Sequence, residues 1–241
     1  MLKDENIAHK IKKILSSEGF NNNLELFESK FQNSLLKPIS KSFLYSIVKT
    51  SNNKTILEIG TYKAGTTKLL SEAVGANGFV ITLEANKDRE KFIQEEISTW
   101  EKDLRDNTNY LISTSDDFFS INKYNEKFWY DFIFIDGDHS YVGALTDLIN
   151  SARFSSPNAL IIVDDAIQPP VFSAVKDFLI LNPSWKEISG IFKKNNNLYL
   201  KPQSSETSLP FLILEGPKTH SIGQKNYSIF REFKSSFRGI S

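Results

Sequence analysis

The chain has 241 residues, and its 29 Lys and Arg are balanced by 29 Asp and Glu, so no charge excess directs it to nucleic acid or marks an acidic solvating tail. Hydrophobic residues make up 40% and charged residues 24%, the mix of a globular protein able to bury a core. There is no Cys, which removes disulfides, thiolate zinc sites and a cysteine nucleophile.

Residues 1–50 read as an N-terminal helical cap. Ile7, Ile11, Ile14 and Leu15 recur on one face, and "SKSFLYSIVK" at 40–49 is a second apolar-periodic helix with Pro38 as its start signal. The opening "MLKDENIAHKIKKILSSEG" holds no apolar leader. No run approaches the roughly 18 apolar residues of a spanning helix. A cytoplasmic protein with no membrane partner is therefore expected. Residues 51–202 read as the core. Short apolar runs at 55–59, 79–83, 110–113, 132–135 and 160–163 alternate with helical patterns, which is the βαβ pattern of a mostly parallel sheet in an α/β domain. "WKEISGIFKKNNNLYLKP" at 185–202 reads as an antiparallel hairpin at the sheet edge. Beyond Pro202, the polar "QSSETS" leads to "LPFLILEGP" and a Phe-rich tail. Residues 203–241 are taken as a C-terminal extension whose role the sequence leaves open.

The first strand runs into a glycine turn and a helix in "TILEIGTYKAGTTKLL". Glycine admits a positive φ or a close backbone approach, and a strand, a glycine turn and a helix start form a nucleotide-sized pocket at the carboxyl edge of a parallel sheet. Gly60 and Gly65 are spaced G-x-x-x-x-G, so the dinucleotide fingerprint is absent and a nicotinamide-dependent reductase is disfavoured. Glu58, just before Gly60, suits a cationic group better than a phosphate. Glu84 ends the next strand, about 20 residues beyond the loop, where an acid takes ribose hydroxyls. The ligand so described has a ribose and a positive group but no phosphates. Two further strands end in acids, "FIFIDGDHSY" in Asp136 and Asp138, and "ALIIVDDA" in Asp164 and Asp165.

"ILEIGTYKAGTT", "VITLEANKDRE", "YDFIFIDGDHSY" and "ALIIVDDA", in that order, resemble the class I S-adenosylmethionine-dependent methyltransferases. Within these they are most similar to the metal-dependent O-methyltransferases of the catechol and caffeoyl-CoA type and their natural-product-tailoring relatives. The resemblance covers roughly residues 40 to 200. It implies a Rossmann-like seven-stranded sheet of order 3-2-1-4-5-7-6 with the last strand antiparallel. Glu58, Gly60, Thr61, Tyr62, Gly65 and Thr66 would line the methionine end, Glu84 would bind the ribose, and Ser115 and Asp116 would lie near the adenine. Asp136 borders both the cofactor and the substrate.

Adjacent parallel strands bring Asp136, Asp164 and Asp165 to one pocket. Carboxylates so close repel unless a positive charge sits among them, and hard oxygen donors suit Mg2+ first, with Mn2+ or Ca2+ as alternatives. The resembling family binds a divalent cation at these positions. A metal bound to the substrate oxygen lowers the hydroxyl's pKa and fixes its direction. Three residues after the metal Asp, the catechol-type enzymes often carry Lys; this chain has His139, a capable base at neutral pH. Asp138 is read as orienting that imidazole or reaching the metal through water. Pro169 and Pro170 are read as stiffening a loop over the substrate. The expected substrate is a small molecule bearing a hydroxyl, with no nucleic acid partner and self-association left open. Two other readings stand beside this one: a metal-independent methyltransferase of the same fold, and a non-catalytic binding module that kept it.

Overall fold

The computed structural model describes residues 24–51, 53–122, 129–189 and 210–219, together with positions 9, 13, 14 and 17. Helices α1 (Leu24–Lys30) and α2 (Pro38–Thr50) lead into β1 (Thr55–Ile59), α3 (Gly65–Val74) and β2 (Phe79–Glu84). A short 3-10 turn, Lys87–Arg89, and helices α4 (Glu90–Ser98) and α5 (Lys102–Asp106) precede β3 (Thr108–Ile112) and α6 (Ser115–Asn122). Then come β4 (Tyr130–Ile135), α7 (Tyr141–Arg153), β5 (Ser155–Val163), α8 (Pro169–Leu181), β6 (Lys186–Glu187) and β7 (Leu212–Glu215).

Strand order is β3-β2-β1-β4-β5-β7-β6, with β7 antiparallel to both its neighbours and the other pairs parallel. The expected sheet is present, but its antiparallel strand comes from a different place. β6 pairs with Leu212–Glu215, inside "LPFLILEGP". Residues 190–209, which held the expected hairpin turn and return strand, lie outside the described residues. Leu212, Ile213 and Leu214 are buried, as expected of a strand covered on both faces.

Alternation along the strands divides the core in two. Ile56, Phe132, Phe134, Leu160 and Ile162 face Phe27 of α1, Phe31 just after it, Phe43, Leu44 and Ile47 of α2 and Leu69 and Leu70 of α3. Leu57, Ile133, Ile135, Ile161 and Val163 face Leu148 of α7 and Val175 and Phe178 of α8. Residues 24–50 thus share one core with the sheet. Pro38 occupies the first helical position of α2, as its fixed φ favours. β3 starts two residues earlier than the apolar run indicated, because Thr108 and Asn109 extend a half-buried strand whose polar residues hide it from a hydrophobic pattern. Among the described residues no helix is long and apolar enough to cross a membrane.

Candidate active site

Register brings the functional positions together. Leu83 pairs with Ile59, Ile59 with Ile135 and Ile135 with Val163. The next residue on each strand, Glu84, Gly60, Asp136 and Asp164, therefore stands in one row across the carboxyl edge. The Asp136 N–H donates to Ile59 O at 2.8 Å and the Asp164 N–H to Ile135 O at 2.9 Å, so the ladder continues to the acids themselves. The row crosses the β1–β4 junction, where crossovers run to opposite sides and a crevice opens.

The two loop glycines serve chain-on-chain contact. Gly60 has φ +105°, and a Cβ there would lie 2.1 Å from Asp136 O. A Cβ on Gly65 would lie 2.0 Å from Ser34 N, so α3 begins directly against the backbone of Asn33 and Ser34. Between them, Tyr62 and Ala64 hold φ +52° and +57°. Hydrogen bonds over-determine this strained turn. The Tyr62 N–H donates to Glu84 Oε2 at 2.8 Å, and Ala64 N–H to Thr61 O at 2.9 Å. Thr66 Oγ1 meets Ser34 Oγ at 2.7 Å, and Thr61 Oγ1 meets Thr82 Oγ1 at 2.6 Å.

Glu58 is fully enclosed behind this loop. Its Oε2 accepts from the hydroxyls of Thr67 (2.5 Å) and Thr82 (2.6 Å), while Oε1 is buried with no hydrogen-bond partner in the structure. Burial pushes its carboxyl up to about 8, against the two threonine bonds, and the charges of Asp136 and Glu84 add to the rise. The folded state therefore holds a proton that the unfolded chain releases near 4.3. The stability this proton contributes is fully present below the unfolded value and is lost as pH rises through about 8. Glu58→Gln keeps an acceptor for both threonines and removes the titration. At pH 8 the variant should be the more stable protein, by on the order of 2–4 kcal/mol. Melting temperatures of the two proteins that run parallel from pH 6 to 9 would rule this out.

Glu84 is 3% exposed and its acceptor positions are occupied. Tyr62 N–H and Asn86 N–H take one oxygen each, and Arg89 Nη1 lies 3.3 and 3.4 Å from the two oxygens. The Arg89 guanidinium also lies over the Tyr62 ring, 4.8 Å from its centroid. Arg89 is a site residue the sequence reading missed; only its place five residues beyond Glu84 could have pointed to it.

At the other end of the row, His139 stands between two carboxylates. Its Nε2 is 3.3 Å from Asp136 Oδ1, an ion-pair distance without hydrogen-bond alignment, and its Nδ1 is 3.4 Å from Asp165 Oδ2. Contact with Asp136 raises the imidazole above its ordinary value, burial opposes the rise, and the charges of Asp136, Asp165 and Asp164 add to it. Burial is also the main force raising Asp136, and it pushes Asp164 up to about 7 with the Asp136 charge adding. Asp164 Oδ1 is buried without a partner. Asp165 takes a left-handed φ of +49°, and its Oδ2 accepts from Gln168 Nε2 at 2.8 Å.

Asp138 makes its hydrogen bonds outside this cluster. Its oxygens accept from the backbone N–H (2.9 Å) and hydroxyl (2.8 Å) of Ser140, the N-cap of α7, and those bonds hold its carboxyl below the usual range. The partners of the imidazole are Asp136, Asp165 and Gln168 instead. Pro169 and Pro170 likewise open α8 rather than stiffening a loop. Asp116 is exposed and accepts from Asn150 Nδ2 at 3.4 Å. Ser115 donates to Asp147 on α7, a second residue the motifs did not reveal.

Residues 57–166 match the family model described as "Methyltransferase domain". Over that stretch the chain is similar to methyltransferase domains. That match and the strand order agree with the expected resemblance to class I S-adenosylmethionine-dependent methyltransferases. The fold is similar to that of an O-methyltransferase from Bacillus cereus in complex with SAH, with a TM-score of 0.59 and 18% identity over 87% of this chain and 96% of that one. It is also similar to the O-methyltransferase TomG from Streptomyces achromogenes, involved in tomaymycin synthesis and in complex with SAM. There the TM-score is 0.57 and the identity 14%, over 85% of this chain and 91% of that one. No curated protein sequence matches. The matched segment contains every residue of the row as well as His139 and Asp165.

Proposed function

We propose that this methyltransferase domain moves the methyl group of S-adenosylmethionine to a hydroxyl oxygen of a small molecule, with a divalent cation, Mg2+ before Mn2+ or Ca2+, held by Asp136, Asp164 and Asp165. The observation that carries the reading is the row Glu84, Gly60, Asp136 and Asp164, which sets a ribose-accepting acid and a pair of adjacent carboxylates on either side of one glycine turn. S-adenosylmethionine supplies a methyl group already activated on a sulfonium, and the transfer forms an O–C bond, breaks an S–C bond and releases one proton. On the protein's side, Glu84 accepts from the ribose hydroxyls once Arg89 yields its place. The loop from Gly60 to Thr66 lines the methionine end, with Glu58 behind it. Ser115 and Asp116 border the adenine. His139, held between Asp136 and Asp165, takes the hydroxyl proton.

The donor chemistry fits a hard dication. Three carboxylates cluster at two strand ends, two of them raised by burial with neighbouring acid charge adding, and one keeps an unpartnered buried oxygen. A cation there would lower the pKa of the hydroxyl it binds and fix its direction. Among the described residues no three such side chains already stand as a ligand group, and the imidazole occupies the space between Asp136 and Asp165. That placement favours a second reading, metal-independent transfer in which protonated His139 balances the acids; chelation separates the two.

Calorimetric titration tests the cofactor. S-adenosylhomocysteine should bind and NAD should bind weakly or not at all; a preference for NAD overturns the reading. Glu84→Ala should weaken S-adenosylhomocysteine by on the order of 1.5–3 kcal/mol, the worth of hydrogen bonds to a charged acceptor. Unchanged affinity would remove Glu84 from the ribose site.

A further inference from the structure

Ser115 and Asp147 meet where α6 and α7 pack together on one face of the sheet. Ser115 opens α6, behind β3, while Asp147 lies on α7, behind β4. The Ser115 hydroxyl donates to Asp147 Oδ1 in a short hydrogen bond. Asp147 is 4% exposed, and its Oδ2 packs against Gly137, where an added Cβ would stand 3.2 Å away. Burial raises this carboxyl, and the Ser115 bond opposes the rise. An acid buried where α6 meets α7 is costly, since an apolar residue would pack these helices without desolvating a charge. Its neighbours on the same helix face, Ala144 and Leu148, are the small and apolar residues such packing uses.

What this arrangement changes is the chemistry of Ser115. A serine hydroxyl carries one proton and two lone pairs, and it rotates to donate or accept as its partner requires. With its proton committed to Asp147, Ser115 Oγ keeps only lone pairs for a ligand. Two residues before it, Ser113 N–H donates to the main-chain oxygen of Glu84 at 2.9 Å, so its segment leaves β3 next to the end of β2 that carries the ribose acid. An acceptor fixed there matches a ligand group that donates. The exocyclic amine of adenine donates; the oxygen of a 6-oxopurine in the same place presents lone pairs to lone pairs.

We infer that Asp147 is a positioning residue that makes Ser115 an obligate acceptor and thereby selects a 6-aminopurine cofactor over a 6-oxopurine one; this rests on the S-adenosylmethionine reading above. The test compares S-adenosyl-L-homocysteine with S-inosyl-L-homocysteine by calorimetry on the full chain. The unaltered protein should prefer the adenosyl compound by at least about ten-fold, because the oxo analogue leaves buried polar groups mispaired. Asp147→Leu frees the hydroxyl proton, and Ser115→Ala removes the acceptor. Each should reduce the preference by about ten-fold or more. If Asp147→Leu does not fold, Asp147→Ala, which also removes the acceptor, takes its place. A purely structural role for Asp147 would weaken both compounds equally and leave their ratio unchanged, and that outcome overturns the inference. Failure of the unaltered protein to bind either compound overturns the cofactor reading itself.

Discussion

Replacing Asp164 by Ala is expected to lower methyl transfer by at least about 100-fold while S-adenosylhomocysteine binds as tightly as before. Asp164 follows directly on β5, beside Asp136 in the register of the parallel ladder, and one of its oxygens is buried without a partner. Burial and the Asp136 charge raise its pKa to about 7, so ionised Asp164 is poorly accommodated unless a positive charge joins it. Removing it relieves this repulsion and should not destabilise the fold, which separates loss of activity from loss of structure. Chelation of the unaltered protein should have the same effect, and Mg2+ or Mn2+ should restore activity. Normal turnover by Asp164→Ala would remove the carboxylates from the reaction. Turnover that survives chelation would select the metal-independent reading, with His139 as the balancing charge.

His139→Ala should lower kcat by roughly 10²–10⁴-fold, the range of a positioned acid–base group, and leave cofactor affinity nearly unchanged. Both ring nitrogens face carboxylates, at 3.3 and 3.4 Å, which fixes the ring and favours its protonated form. Only the neutral form accepts a proton, so the rate should rise with pH through the imidazole pKa. The acids place that limb above histidine's ordinary value in the metal-free protein, and a bound dication would move it down. His139→Lys should keep measurable activity with the limb displaced toward a lysine's titration. A His139→Ala protein with unaltered kcat across the pH range would make the imidazole structural.

Elements whose residues repeat with a clear period were legible before any coordinates. The runs at 55–59 and 132–135 are strands because a sheet covered on both faces buries every side chain, and such strands read as unbroken apolar runs. Asp136 and Asp164 stood out for the same reason: a carboxylate directly after such a run marks a strand end at the crevice. The sequence left open whether 212–215 is a strand, because short apolar segments on either side of a polar region are equivalent until pairing partners are known. Adjacency in sequence offered Asp138 as a neighbour for His139, whereas that acid accepts its hydrogen bonds from Ser140.

The sequence alone determined the α/β class, the order of motifs and which acids end strands, because these depend on local periodicity and composition. Only the tertiary structure decided the partners of those acids. Glu58 is enclosed by Thr67 and Thr82, Arg89 covers Glu84, His139 lies between Asp136 and Asp165, and Asp147 holds Ser115 from another helix. Most of these contacts join residues from separate elements. Which side chain completes a buried carboxylate depends on where the register and the helix packing bring donors within about 3 Å, and no spacing along the chain encodes that distance.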